Sequence, residues 1–247
     1  MKHKAQYIPG ALLLALGATP LIAGVTIPHT FQSGDTARAA EVNENFDALR
    51  QELAHALDRI DEMQELHEHV EVIADPNYPN DYTVLFEGVN VQIVNGLGET
   101  ESTNGLGNLI VGYNEPRGGF APEVCSDGRY DDKTDCTSAG ETWARNHKSG
   151  SHNIVGGTNN AYASFGGLVV GRENAINRDY ATVTGGHRNI ASGEVSNVSG
   201  GLHNTASGRA SHVSGGWDNT ASGLESSILG GNNETTSSHY ETIPKIP

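Results

Sequence analysis

The sequence predicts a mainly β chain: a parallel β-roll or β-solenoid with one coil per 14–15-residue repeat, preceded by an α-helical coiled coil. Three observations carry this. Glycine pairs recur at a fixed interval through the C-terminal half. Each repeat holds a short stretch in which apolar and polar residues alternate, the period of a strand. Upstream, apolar residues recur by fours and threes over about four heptads, the seam of a coiled coil.

The first residues are basic or titratable (Lys2, His3, Lys4), and an apolar run from Ile8 to Val25 follows. Residues 1–24 read as a secretory signal peptide, with cleavage near Ala23 and Gly24. The competing reading is an uncleaved N-terminal anchor. Residues 25–38 are a linker, in which Ser33, Asp35 and Thr36 are candidate helix N-caps.

A stalk helix is expected over 39–72, along the seam Val42, Phe46, Leu49, Leu53, Ala56, Ile60 and Met63, continued by His67 and Val70. Pro76, Pro79 and Asn80 should end it. Ten acids and only two bases, Arg50 and Arg59, lie between Glu41 and Glu71. The alternative is a single amphipathic helix lying on the β part of its own chain.

The β part is expected to begin over 82–114, where Val89, Val91 and Ile93 alternate with polar residues. The segment 115–148 breaks the period and reads as an insertion. It contains the two cysteines, Cys125 and Cys136, around the polar run SDGRYDDKTD. In an exported chain this spacing favours a disulfide; a zinc pair fits it poorly.

The repeats fill 149–235, followed by a tail at 236–247. The turn glycines are Gly157, Gly171, Gly186, Gly201, Gly216 and Gly231, and from Gly171 onward they fall fifteen residues apart. Three residues after the first five come Asn160, Asn174, Asn189, Asn204 and Asn219. Of the 31 glycines, 17 lie between residues 149 and 231, so glycine sits at fixed turns where positive φ is needed. The asparagines are expected to tolerate or cap these turns. Stacked coils would align Ile154, Val183, Val198, Val213 and Ile228 as a core ladder, with Ala191, Ala206 and Ala221 as a smaller one.

The patterns GGxxNxASGxxSxVSGG and LIVGxN resemble the head repeats of trimeric autotransporter adhesins, the YadA-type heads. The likeness covers about 104–235, less the insertion. It implies a left-handed parallel β-roll, a homotrimer with three chains side by side, cell-surface display, and adhesion to extracellular matrix or other cells. Here the coiled coil precedes the head, where the family places its stalk after it. No C-terminal barrel is recognised, and no integral membrane anchor is expected in the mature chain.

Catalytic patterns are not found. The eleven histidines form no zinc motif, and His187, His203 and His212 occupy different repeat positions. There is no nucleophile elbow and no phosphate loop. Asp127, Asp131, Asp132 and Asp135 are the candidates for a hard cation such as calcium, though their spacing is not that of an EF-hand. The net charge of -15 argues against nucleic acid. No cofactor and no enzymatic activity are expected.

The expectation is an exported structural or adhesive protein, secreted or at the cell surface, with a periplasmic location also open. Its candidate ligands are matrix, cell-surface or glycan molecules. Trp217 is the candidate aromatic anchor, near Arg172 and His203. The alternatives are an ice- or carbohydrate-binding solenoid using the polar rows Thr182-x-Thr184, Asn197-x-Ser199 and His212-x-Ser214, and a polysaccharide-cleaving solenoid.

Overall fold

A computed structural model describes residues 26–78 and 80–244; segment 1–24, read above as a signal peptide, and the last residues of the tail lie outside these. The chain divides between Val91 and Gln92 into two compact units.

In the first unit a helix runs over Ala39–His67. The expected caps Ser33, Asp35 and Thr36 lie before its start. Arg38 is the capping position instead: its carbonyl accepts the Val42 N–H, and its own N–H reaches the Glu41 carboxylate at 3.4 Å. This is the reciprocal half of a capping box, with Glu at the third helical position. Asn45 ties the preceding segment down, exchanging two hydrogen bonds with the His29 backbone at 2.9 and 2.7 Å.

The helix is shorter than expected. Val70, the last residue of the heptad pattern, begins a strand (Val70–Ala74) that pairs antiparallel with Tyr82–Phe86. β-branched Val70, Val72 and Ile73 favour this outcome. Asp75 builds the turn by accepting the N–H groups of Asn77 and Tyr78 at 2.8 and 3.1 Å. Residues 82–86 therefore belong to this hairpin and not to the solenoid. Val89, Val91 and Ile93 form no strand and are exposed.

The second unit is a parallel β-solenoid of about six turns, each of about fifteen residues. The chain alternates between two sheets. The first has eight strands: Leu109–Val111, Ile154–Thr158, Leu168–Arg172, Thr182–Val183, Asn197–Val198, His212–Val213, Ser227–Ile228 and Thr242–Ile243. The second has six: Ala161–Tyr162, Ala175–Ile176, Ile190–Ala191, Thr205–Ala206, Thr220–Ala221 and Thr235–Thr236. Each strand pairs in parallel with its counterpart one coil away, so the strand interior binds along the stack.

The core lies between the sheets and is one residue wide on each side. The first sheet contributes Val155, Val169, Val183, Val198, Val213 and Ile228; the second contributes Tyr162, Ile176, Ala191, Ala206 and Ala221, all buried. Ile154 is a correction to the expected ladder. It is 51% exposed, and its register partner is Leu168, which pairs with Thr182 on the outer side. Val155 takes the inward place. The cause is one extra residue between strand and turn glycine. Val155 and Val169 stand two residues before Gly157 and Gly171, whereas Val183 stands three before Gly186. Aligning repeats on their glycines thus shifts the strand by one residue, and a one-residue shift exchanges the two faces.

The asparagines also differ from expectation. None of Asn160, Asn174, Asn189, Asn204 or Asn219 has positive φ; the residues before them do, with Glu173, Arg188, His203 and Asp218 at φ 55°, 57°, 60° and 57°. The asparagines turn inward as a buried ladder. Oδ1 of each accepts the backbone N–H at the same position of the next coil, as for Asn219 N–H on Asn204 at 3.1 Å and, at the last rung, Glu234 N–H on Asn219 at 2.9 Å. Nδ2 donates to the carbonyl four residues back and to the turn-glycine carbonyl of the next coil, at 2.9 and 3.0 Å for Asn204. The side chain thereby occupies the backbone groups that a turn between strands leaves unpaired.

Candidate functional site

The turns determine which residues face outward. Gly186 has φ 81°, and a Cβ there would lie 2.2 Å from the Gly201 carbonyl oxygen of the next coil. Gly157, Gly201 and Gly216 meet the same obstacle, so glycine is required both for its φ and for the close stacking. Gly171 and Gly231 also have positive φ. Gly200 and Gly215, the first members of their pairs, face open space.

Beside these glycines runs an outer column of Arg172, His187, Leu202, Trp217 and Asn232, bridged in parallel along the stack. Trp217 is 54% exposed and Leu202 is its neighbour in the preceding coil. His187, His203 and His212 indeed fall in three different columns, although the His187 and His203 rings meet edge to face at 6.4 Å. Glu173 sits beneath, accepting Arg188 Nε at 2.6 Å with His187 Nε2 at 3.4 Å. Burial alone would raise its carboxyl; Arg188 and His187 outweigh this and hold it below the usual range.

The insertion leaves the stack between Val111 and Ile154. Cys125 and Cys136 are disulfide-bonded, with Cα atoms 5.8 Å apart. Val124–Cys125 pairs with Trp143–Ala144, and a short helix, Lys133–Ser138, follows Asp132 as its cap. Buried Arg117 anchors the segment to the solenoid by donating to the Glu173 carbonyl at 2.8 Å and the Pro122 carbonyl at 2.7 Å. Desolvation pushes its guanidinium down to about 10. Lys148, brought down to about 8 by desolvation, donates to Asn114 Oδ1 at 2.8 Å and to the Asn160 carbonyl.

The four candidate cation ligands do not converge. Asp127 faces Arg178 at 2.9 Å and Arg129 at 2.5 Å, and Asp132 is spent on the Thr134 and Asp135 N–H groups. Asp131 lines a different cleft. Among the described residues no group of three or more His, Cys, Asp or Glu side chains is placed to hold a metal.

Two clefts flank the insertion. One, of about 310 Å³, is polar, and its acids are engaged: Asp127 by arginines, Asp179 by Ser164, Glu101 by Tyr180. The other, of about 330 Å³, lies between the insertion and the outer face of the second sheet. Its floor is the outward residues Ile190, Thr205 and Thr220 with Ser192, Ser207 and Ser222; its wall includes Tyr130 and Trp143. Sequence reasoning placed polar rows only on the first sheet and missed these. The signal was present in the repeated Thr-Ala-Ser at 205–207 and 220–222, whose middle alanine points inward and whose flanking hydroxyls must then point out.

The seam residues of the helix face solvent in the chain: Phe46 and Leu53 are each 60% exposed, Met63 is 66% exposed, and Leu49 and Ile60 are exposed as well. Val42 is half-buried and Ala56 exposed. Among the described residues no helix is long and apolar enough to cross a membrane. Comparison with known proteins finds no matching family model, no matching curated protein and no matching solved structure.

Proposed function

We propose that this chain is an exported, non-enzymatic structural or adhesive protein of the cell surface or extracellular space. Its solenoid is a head presented by a self-associating helix, and the assembly is a homotrimer. The observation that carries this reading is the apolar stripe on Ala39–His67, from Phe46 to Met63, which stays exposed in the single chain. An apolar stripe at heptad spacing is stabilised by burial against copies of itself. The solenoid supports the same reading, because the same backbone coil recurs and presents outward columns along one face, a shape that suits broad contacts. The likeness of the repeats to YadA-type heads supports a left-handed roll and an adhesive role. The apolar N-terminal run and the Cys125–Cys136 bond support export.

The reading is tested by antibody labelling of intact cells and by binding of the purified protein to matrix proteins and to cells. Surface labelling with saturable binding is expected. Labelling only after lysis, with no binding above an inert protein control, would remove both the location and the adhesive role. A carbohydrate-binding solenoid is a second reading, favoured by the hydroxyl rows under the insertion.

A further inference from the structure

The cleft between the insertion and the second sheet brings together a row of hydroxyls and two aromatic rings. Its floor is regular. Thr205 and Thr220 pair directly in neighbouring strands, and Ser207 follows in the same coil as Thr205, so outward hydroxyls recur about 4.8 Å apart along the stack. Its wall adds two aromatic rings, Tyr130 and Trp143, and two carboxylates, Glu123 and Asp131. The wall is braced by the disulfide and by the pairing of Cys125 with Trp143. At about 330 Å³ the space is of the size of a small-ligand pocket, and such pockets combine apolar faces with a few placed polar groups.

Asn177 adds an independent sign. It lies between the two clefts and lines both, is 2% exposed, and stands in the repeat position that serine holds at 192 and 207. Its Oδ1 is buried without a hydrogen-bond partner in the protein. A buried acceptor left unpaired is costly, and a ligand hydroxyl is a donor of the kind it lacks.

The ligand class follows from the chemistry. A polypeptide added as a strand needs free backbone groups, but the floor strands spend theirs on the coils above and below. An anion would meet Asp131, and Glu123 that Arg145 pairs at 3.2 Å, in a chain of net charge -15. A sugar chain matches instead: its C–H faces pack on aromatic rings, and its hydroxyls exchange hydrogen bonds with hydroxyls, carboxylates and amide oxygens. We propose that this cleft binds a neutral oligosaccharide, laid along the stack against Tyr130 and Trp143. The proposal rests on the adhesive reading above and names its ligand class.

The test uses the full chain on an array of neutral gluco-, manno-, galacto- and N-acetylglucosamine oligomers with uronate and sialylated counterparts. The protein has two tryptophans, so Trp217→Phe leaves Trp143 as the single reporter for a fluorescence titration with each neutral oligomer. The expected result is binding confined to neutral glycans and a saturable change in Trp143 emission. Trp143→Ala should weaken binding by about tenfold or more, the scale of one aromatic contact. Because that change could disturb the insertion, the double variant Thr205→Val/Thr220→Val should also weaken binding, with unchanged melting. The proposal is overturned if no neutral glycan binds or alters the emission, if acidic glycans bind as well as neutral ones, or if the threonine variant binds like the parent. Blank glycan results with matrix or cell binding retained would sink the cleft alone; loss of both would sink the adhesive reading with it.

Discussion

Replacing Asn204 by alanine removes one rung from the buried ladder, and its cost can be worked from the contacts. Asn204 is fully buried. The substitution strips the Gly200 carbonyl of its 2.9 Å bond and the Asn219 N–H of its 3.1 Å bond. The Gly216 carbonyl also loses the side chain, but it keeps the Leu202 N–H at 3.0 Å. The Asn219 N–H is therefore left unpaired in the interior, and the Gly200 carbonyl at a half-buried turn that water can reach. At ~1–3 kcal/mol for the buried group and ~1 kcal/mol for the lost bond at the turn, the loss is about 2–4 kcal/mol. Over a unit of this size that lowers the Tm by roughly 2–4 °C per kcal/mol. Thermal melting followed by circular dichroism measures the total, and amide hydrogen exchange locates it, because the Asn219 N–H should lose protection most. A variant that melts within ~0.5 kcal/mol of the parent, the range of ordinary surface changes, with Asn219 still protected, would refute the claim that the ladder holds the coils in register.

Three further predictions rest on separate features. Gly186→Ala should be strongly destabilising, since its Cβ would lie 2.2 Å from the Gly201 carbonyl oxygen at φ 81°, whereas Gly200→Ala meets nothing within 4 Å and should melt like the parent. Val195 is a β-branched residue at φ 58° and is half exposed, so Val195→Asn should raise stability by about 1 kcal/mol in denaturant titration; Asn tolerates this conformation where valine is strained. For Asp127, desolvation would raise the carboxyl, but Arg129 and Arg178 more than compensate and hold it below its ordinary 3.8. A depressed folded-state value gives stability that is present above the ordinary carboxylate range and is lost as pH falls through the folded value. Acid unfolding below about pH 4 should therefore be shallower in Asp127→Asn than in the parent, as followed by circular dichroism across an acid titration.

Much of the solenoid was legible because its period is written in glycine and asparagine. Gly186, Gly201 and Gly216 repeat where backbone stacks on backbone, and no other residue fits, so the spacing carries the architecture directly. Val183, Val198, Val213 and Ile228 share one inward column for the same reason. Ile154 was misplaced because a glycine register does not fix a strand register when one residue is inserted between them. The left-handed conformation of Glu173 and Arg188 is not legible, because the stack imposes it; His203 and Asp218 at the same position are types that tolerate it, but the column is mixed and carries no repeated residue. Val70 fits both patterns in the sequence, because the same apolar residue satisfies a heptad and the first position of a β-branched strand. The cleft was hidden for another reason: Tyr130 and Trp143 lie outside the repeat, and only the fold brings them to Thr205 and Thr220.

Self-association through the helix stripe is what would make the chain a presented head. Sedimentation equilibrium of the purified chain at micromolar concentration tests this most directly, with Leu53→Glu beside the parent. The parent should sediment at three times the chain mass and the variant at one, because a buried charge replaces an apolar seam residue that is 60% exposed in the single chain. A parent that sediments as a monomer would contradict assembly through the stripe.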